Sequence, residues 1–225
     1  ITSLAFQPDL VWIKDRSNAY SHRLADSVRG STRVFFSDQT NAEQVNEYGT
    51  IDQFTSNGFD LRQGSNNNGD GSNTNGANMV AWCWKAGGTA ASNTDGSITS
   101  SVSANPSHGF SIVSYTGNGT DNATIGHGLG ATPAFVILKN RDASKSPMVY
   151  HRSYNGTTTD LALQLDQSGA TGGVKWRSSL YSSTVFGVTN ASQVNTNGQK
   201  YIAYCFADVP GYQRIGKYNG TGSTQ

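Results

Sequence analysis

The chain has 225 residues, of which only 14% are charged, and its formal net charge is +1. A charge this close to zero gives no electrostatic reason to expect nucleic acid or an anionic membrane surface as a partner. No apolar run approaches the ~20 residues needed to span a bilayer. Four Trp, ten Tyr and nine Phe argue against disorder, because disordered chains are poor in aromatic residues.

Short β-branched and aromatic runs alternate along the chain with turn clusters rich in Gly, Asn, Ser and Asp, the pattern of an all-β protein. Segment 39–53 is the only candidate helix. Many short strands separated by regular turns predict a β-sandwich or jelly roll. In chain order, the predicted strands span residues 9–14, 32–37, 58–62, 78–85, 109–115, 134–139, 160–165, 184–189, 200–206 and 212–218.

The two halves of the chain share landmarks in the same order, which indicates an internal duplication. On superposition of the halves, Lys14 should pair with Lys139 and Trp82 with Tyr204. The aligned segments are 8–16 with 133–141, His22-Arg23 with His151-Arg152, 38–40 with 166–168, 74–76 with 196–198, and 80–84 with 202–206.

This duplication predicts two tandem β-sandwich modules, of jelly-roll or lectin-like type, at 1–88 and 109–210. Segment 89–108 is predicted as a connector that contains a short strand at 97–103. Both faces of 79–85 and of 201–206 are apolar, so these strands are predicted to be central and buried on both sides. Cys83 and Cys205 then behave as small buried residues rather than as nucleophiles or metal ligands.

The C-terminal segment repeats a pattern found in the middle of the chain. Residues 211–221 resemble 109–120, which begin the second module, and the first module lacks such a segment. We therefore expect 211–225 to open a following module or to be donated as a strand to a neighbouring copy. Head-to-tail contacts of this kind build open filaments unless the rotation closes a ring.

Three of these features together resemble a known repeat. They are the P-x-h-V-h-h-K-x-R strand, the His-Arg pair, and the closing Ala-aromatic-Cys-aromatic strand followed by G-x-Y-x-G-x-G at 216–222. The combination is similar to a repeat in large virion structural proteins of marine bacteriophages, where it often accompanies concanavalin-A-like lectin/glucanase modules. The resemblance covers residues 5–85 and 109–225. It implies a tail, fibre or capsid-surface part in a virion, and it supplies no catalytic residues.

Extended Gly/Asn-rich β modules in tandem are also similar to bacterial adhesins and surface filaments. The location expected for the chain is therefore a virion or, more broadly, the extracellular side of a cell. The expected partners are other copies of the same protein or neighbouring repeats, together with a cell-surface glycan if the chain binds a host.

Trp176 and Tyr181 are the candidate ligand-binding aromatics, because sugar rings stack on exposed aromatic faces. Both lie in a polar, loop-like stretch, and Trp176 has no counterpart in the first half. The alternative is a Trp that only covers the edge of the fold.

The His-Arg pairs are the candidate polar site. His22-Arg23 and His151-Arg152 could bind a sugar or a carboxylate. The alternative is that each Arg fixes a loop through a charge-assisted hydrogen bond to an Asp or a carbonyl group.

Loop 66–73 begins like a calcium-binding loop, but Asp70 is its only formal charge, and Ala77 stands where a bidentate Glu is needed. Asp70 is thus a weak metal candidate, and we expect a polar hairpin loop with no metal and no cofactor.

Catalytic motifs are missing from the sequence. It contains no G-x-S-x-G, C-x-x-C or H-E-x-x-H run. The two glutamates, Glu43 and Glu47, fall in the candidate helix, where a solvated face explains them as well as a glycosidase pair does. His127 is expected to be a turn residue. The chain is therefore predicted not to be an enzyme. Three hypotheses follow: a structural module of a virion fibre or filament, a carbohydrate-binding module, and, with less support, a glycan hydrolase.

Overall fold

The structure is a computed structural model that describes residues 1–45, 50–62, 71–155, 160, 162–169 and 173–222. Regular structure in these ranges is almost entirely β-strand, which confirms the all-β class. The strands of the first half are β1 (Leu10–Asp15), β2 (Arg23–Asp26), β3 (Arg33–Phe36), β4 (Gln44–Val45), β5 (Ile51–Thr55), β6 (Gly58–Leu61) and β7 (Met79–Trp84).

The second half has nine strands and one helical turn, α1 (Arg152–Asn155), in the described ranges. Two short 3₁₀ turns, Pro106–His108 and Ser178–Leu180, complete its regular structure. The strands are β8 (Ala91–Asn93), β9 (Ser100–Asn105), β10 (Phe110–Thr116), β11 (Ala123–Gly126), β12 (Phe135–Asn140), β13 (Met148–His151), β14 (Leu163–Gln164), β15 (Val185–Val188) and β16 (Lys200–Phe206).

Two large sheets and two hairpin-sized sheets organise these strands. The first half forms a five-stranded sheet in the order β4-β3-β2-β1-β7. The second half forms a seven-stranded sheet in the order β14-β13-β12-β16-β10-β9-β8. The smaller sheets are the antiparallel pairs β5-β6 and β11-β15. Neighbouring strands of the large sheets are also antiparallel, as short connections allow.

The two large sheets share a register around their central pair of strands. Trp82 lies opposite Trp12 where β7 pairs with β1, and Tyr204 lies opposite Ile137 where β16 pairs with β12. Lys14 stands two positions after Trp12 in β1 and faces the residue two positions before Trp82 in β7. Lys139 stands two positions after Ile137 in β12 and faces the residue two positions before Tyr204 in β16. Trp82 and Tyr204 therefore occupy like positions, and so do the two lysines.

The turns before these strands also agree. Gly76 and Gly198 both have a positive φ, +74° and +78°, which a residue without Cβ adopts at little cost. Ala77 donates its N–H to the carbonyl of Thr74, and Gln199 donates to Thr196, each at 3.2 Å. The chain thus enters β7 and β16 through the same turn geometry.

The two large sheets pack face to face, and the two-stranded sheets cover their outer faces. Three apolar clusters fill the resulting layers, and burial of each large side chain contributes about 1.5–3 kcal/mol. Between the large sheets lie Leu10, Leu24, Phe35, Phe110, Ile112, Ile137, Val149, Ile202, Tyr204 and Phe206. Val11, Ile13, Ala25, Ile51 and Phe59 pack under β5-β6, and a larger group that includes Tyr115, Ile125, Trp176, Phe186 and Tyr201 packs under β11-β15.

Two predictions about elements were wrong. Segment 39–53 is not helical where it is described, because β4 and β5 occupy 44–45 and 51–55 as strands. Residues 212–218 do not form a strand; Gln213 makes a single bridge to Val209, and the residues after it run without regular structure to 222.

The predicted connector is also part of the fold. Within 89–108, β8 and β9 extend the seven-stranded sheet beyond β10. Ile98 is buried and makes a parallel bridge to Ile125. The segment is therefore integrated with the second half and does not act as a free linker.

The prediction of two central strands holds for β16 and is wrong for β7. β16 is paired on both edges, and every residue from Tyr201 to Phe206 is buried. β7 pairs only with β1 among the described strands, and Ala81 and Trp82 are exposed. β16 thus has a neighbouring strand on its second edge, and β7 has none among the described strands.

Candidate functional site

Trp176 lies in the core, which corrects the expectation that it stacks on a sugar. Its side chain is fully buried, and its indole N–H donates to the Val149 carbonyl at 3.2 Å. A bridge to Val188 fixes the backbone beside β15. The ring meets Tyr150 edge-on at 5.9 Å between centroids, so neither face is open to a ligand.

Tyr181 is also engaged inside the protein. Its ring stacks on Tyr150 at 4.1 Å between centroids and lies near Phe186 at 6.3 Å. Burial, followed by the neighbouring Tyr150, raises the pKa of its hydroxyl well above the ordinary value. The stacked ring therefore packs against the apolar cluster under β11-β15 and does not line a surface groove.

The two His-Arg pairs do not occupy like positions, contrary to the alignment of the halves. His151 lies opposite Phe135, and the position opposite Leu10, which corresponds to Phe135, is Asp26. The His-Arg pair of the first half lies at the other end of β2. The shared dipeptide therefore does not mark one repeated site.

Each member of the pairs has a local structural contact. The His22 backbone N–H donates to the Asp38 carboxylate at 3.1 Å, and the Arg23 guanidinium lies over the Phe36 ring at 5.4 Å. His151 accepts the Ser153 N–H at 3.2 Å. Arg152 donates to Asp208 at 2.7 Å. The Arg152–Asp208 hydrogen bond matches the loop-fixing alternative for the second pair, whereas the contact of Arg23 is with an aromatic ring.

Metal binding has no visible support in the described ranges. Asp70 and most of its loop lie outside them. Elsewhere in the described chain, no group of three His, Cys, Asp or Glu side chains is placed to hold an ion. Burial raises the pKa of the Cys83 thiol to about 11 and raises that of Cys205 further, so both thiols are poor nucleophiles at neutral pH.

The largest cluster of charged side chains joins the two halves and centres on Glu43. Arg29 and Arg33 donate to its carboxylate at 3.1 and 2.9 Å. Arg141, from the second half, donates two hydrogen bonds to the same carboxylate at 2.9 and 3.0 Å. The Glu43 backbone N–H also donates to the Arg141 carbonyl at 2.9 Å. Such charge-assisted pairs are the stronger class of protein hydrogen bond.

A buried extension of this cluster also crosses between the sheets. Arg29 pairs with Asp26, and both side chains are fully buried. The Tyr204 hydroxyl, from β16, donates to Asp26 at 2.7 Å. The Arg29 guanidinium lies over the Phe35 ring at 5.1 Å. A buried charge of this kind is tolerated only when it is paired and hydrogen-bonded.

The charges in this cluster are fixed. Burial alone would raise the pKa of Glu43, but hydrogen bonds from Arg141 and the charges of Arg29 and Arg141 lower it to about 2. Burial alone would lower the pKa of Arg29, but the facing charges, Asp26 first, raise it above its ordinary value. These pKa directions keep both groups charged near neutral pH, and the carboxylate of Glu43 is occupied by three arginines.

The open edge of β7 is the candidate functional surface. Trp82 is 46% exposed, and its ring lies 5.9 Å from that of Trp12, which in turn lies 6.5 Å from His22. Exposed aromatics next to an unpaired strand edge are unusual on a protein surface, because such an edge templates pairing with another chain.

The backbone pattern identifies which groups face the open edge. The Arg16 N–H donates to the Asn78 carbonyl at 2.8 Å, and antiparallel pairs alternate between bonded and non-bonded positions. Val80 and Trp82 therefore direct their backbone groups to β1. Met79 and Ala81, together with Cys83, direct theirs to the edge that has no partner strand in the described chain.

The C-terminal segment lies near this surface. Gln213 donates from its side-chain amide to the carbonyls of Gly109 and Ala207 at 3.0 and 2.6 Å, and the Ile215 N–H donates to Asp208 at 2.9 Å. Beyond them, Tyr218 is 89% exposed. Residues 213–215 close the end of a cavity of about 270 Å³ between the large sheets, lined by Leu10, Trp12, Leu24, Trp84, Phe135, Ile137 and Phe206.

The β7 surface was not predicted from the sequence as a site. The apolar pattern of β7, which resembles that of β16, led to its assignment as a buried central strand. Within the described part of the chain, no helix is long and apolar enough to span a membrane.

Comparison with known proteins identifies one family. A family described as a domain of unknown function, DUF7483, matches residues 1–225. No curated protein and no solved structure matches the chain. Since the match extends over the whole sequence, the chain belongs to the DUF7483 family.

Proposed function

We propose that the chain is a non-enzymatic structural and assembly module of an extracellular filament, with a virion appendage as the setting favoured by the sequence resemblance. One observation carries this proposal. The ion pairs centred on Glu43 join the two halves inside the protein, while the second edge of β7 has no partner strand among the described residues.

We infer that the chain arose by duplication of one β-sandwich module. The equal register of β1-β7 and β12-β16 supports this history, as do the glycines at 76 and 198. In this interpretation each module is a large sheet covered on its outer face by a two-stranded sheet, and the modules pack through their large sheets. Because the His-Arg pairs occupy different positions in the two halves, the inference of a duplication rests on the other shared landmarks.

A test of assembly is sedimentation velocity over a wide range of protein concentration. The proposal expects association that increases with concentration. It also expects no turnover of polysaccharides or esters by the same preparation. A protein that stays monomeric at every concentration would overturn the assembly role, and hydrolase activity would overturn the non-enzymatic one.

Carbohydrate binding is the second candidate function, and Trp82 is the observation that favours it. Its exposed ring, next to Trp12 and His22, offers a face on which a sugar could stack. A glycan array with wild type and Trp82→Ala tests this candidate, with Tyr218→Ala as the control for loss of an exposed aromatic ring. Binding lost only with Trp82→Ala would support a lectin-like role, and absence of binding by wild type would remove it.

A further inference from the structure

β16 provides a template for what the edge of β7 lacks. In the second half, β10 lies along the outer edge of β16, with Tyr115 opposite Tyr201 and Val113 opposite Ala203. The Gly117 N–H donates to the Gln199 carbonyl at 2.8 Å and extends the ladder past the start of β16. The rings of Tyr115 and Tyr201 stack at 5.1 Å between centroids.

The edge of β7 presents the same acceptors and donors in the same order. Met79 and Ala81 occupy the positions of Tyr201 and Ala203. The Ala77 N–H is used in its turn as the Gln199 N–H is, which leaves the Ala77 carbonyl as the counterpart of the acceptor that Gly117 reaches. A strand like β10 would therefore find a complementary ladder on β7.

The chain itself contains a second segment like β10. The run Tyr115-Thr116-Gly117-Asn118-Gly119 has the spacing Y-x-G-x-G, and so does Tyr218-Asn219-Gly220-Thr221-Gly222. Matching the two runs places Tyr218 where Tyr115 lies and Gly220 where Gly117 lies. This match fixes which residue of β7 lies opposite each other residue of the segment.

The side chains of this segment are also suited to the edge. Tyr218 is 89% exposed in the chain, whereas Tyr115 is buried against Tyr201. Placed opposite Met79, the Tyr218 ring would lie over a thioether, a favourable sulfur–aromatic contact. Lys217 would lie next to Val80 on the other face of the sheet.

The start of the segment is anchored to its own chain, and its end is exposed. Gln213 and Ile215 are hydrogen-bonded to the second half of their own chain. Residues 216–222, which follow, are exposed and contain no strand. The anchored start holds the exposed end in place on the surface for a neighbouring molecule.

We propose that residues 216–222 of one copy add to β7 of a second copy as an antiparallel strand, with Tyr218 opposite Met79. This inference rests on the proposed assembly function and names its contact. Strand addition uses main-chain hydrogen bonds for affinity and side-chain positions for specificity. Because the donor and acceptor surfaces differ, each copy can receive one strand and give one, which builds a head-to-tail array.

Disulfide trapping between two different variants tests the pairing. All proteins carry Cys83→Ala; one carries Val80→Cys, and the other carries Lys217→Cys. Val80 and Lys217 would form a non-hydrogen-bonded pair with Cα atoms about 4.5 Å apart, which a disulfide can span. Because the cysteines lie on separate chains, only contact between molecules can join them.

Gly216→Cys is the matched control for Lys217→Cys, since neighbouring strand residues point to opposite faces. We expect roughly tenfold more cross-linked dimer from the 80/217 mixture than from the 80/216 mixture on a non-reducing gel. Equal yields, a reversed preference, or no dimer in either mixture would overturn the pairing. Thermal melts of each reduced variant verify folding.

A second measurement uses the wild-type chain and no cysteine variant, so its result does not depend on the folding of a variant. A fluorescent peptide of residues 209–225 should bind the wild-type chain in an anisotropy titration. The same peptide with Gly220→Pro should bind about tenfold more weakly, because it lacks the N–H that faces the Ala77 carbonyl. Equal binding of the two peptides, or no binding by either, would contradict the proposal.

The outcomes separate this inference from the function on which it rests. A protein that associates in sedimentation velocity but gives no register-specific cross-link rejects the strand addition alone. A protein that stays monomeric at every concentration rejects both.

Discussion

Arg141 and Glu43 stand 98 residues apart in the chain and meet in a double hydrogen bond, with nitrogen–oxygen distances of 2.9 and 3.0 Å. This planar pairing of a guanidinium with a carboxylate is the most specific ion-pair geometry that proteins use. It connects strand-flanking loops of the two halves, so it reports directly on how the halves are joined.

Arg141→Ala should lower the free energy of unfolding by about 2 kcal/mol, because Glu43 loses two charge-assisted hydrogen bonds in a poorly solvated position. Urea denaturation followed by tryptophan fluorescence measures the loss. Arg62→Ala is the control: its pair with Asp52 is also short, at 2.7 Å, but both side chains are well exposed. That change should cost less than ~0.5 kcal/mol, and equal losses would contradict a special role for the Glu43 cluster.

His127 should make stability depend on pH. It is buried, its Nδ1 accepts the Leu129 N–H at 3.1 Å, and burial lowers its pKa from 6.5 to about 4. The folded protein therefore binds fewer protons than the unfolded chain between pH 6.5 and pH 4. The stabilisation is complete above pH 6.5 and is lost as the pH falls through this window, by on the order of 3 kcal/mol.

Thermal melts from pH 7 to pH 4 measure this effect, and His127→Gln is the variant that isolates it. The amide can accept from Leu129 and donate to Ser182 as the imidazole does, but it does not titrate. The variant should show a flatter dependence of melting temperature on pH in that window. An unchanged slope would show that other groups cause the loss.

Trp176→Ala should destabilise the protein by about 4 kcal/mol, because it leaves a large cavity in the apolar cluster under β11-β15. Tyr218→Ala, which removes an exposed ring, should change the stability of the isolated chain by less than ~0.5 kcal/mol. Denaturant midpoints provide the comparison. Sugar-dependent protection of Trp176 fluorescence, with little loss of stability in the Ala variant, would restore a binding role.

Ala81→Pro should abolish association without unfolding the chain, since the N–H that it removes faces the open edge of β7 and proline is tolerated on edge strands. Ala81→Val keeps the N–H and is the matched control. Sedimentation velocity should show monomers for the proline variant and wild-type association for the valine variant. Association retained in the proline variant would place the contact elsewhere.

Strands with long apolar runs could be predicted from the sequence, and short strands with charged residues could not. β1, β12 and β16 follow directly from their β-branched and aromatic residues. β2 was missed because it includes Arg23 and Asp26, and the burial of Asp26 depends on Arg29 and on Tyr204 from the other half. The local sequence pattern of a strand does not reveal partners of this kind from elsewhere in the chain.

The candidate site was harder to predict for the same physical reason. Trp176 has polar neighbours in the chain, and its burial is decided by Val149 and Val188, which lie on other strands. The edge of β7 carries the same alternation of apolar residues as β16, so no local property of the strand distinguishes them. What differs is a neighbouring strand that is distant in sequence.

Hydrogen bonds that reach buried ionic groups across the two halves have a consequence for folding. The buried Asp26 of the first half receives the Tyr204 hydroxyl of the second, and the buried ammonium of Lys139 donates to the Thr40 carbonyl of the first. Each half alone would lose both the hydrogen bond and the cover that the other half gives to its ionic group. Denaturation should therefore proceed as one cooperative transition rather than two, and we expect neither half to fold alone.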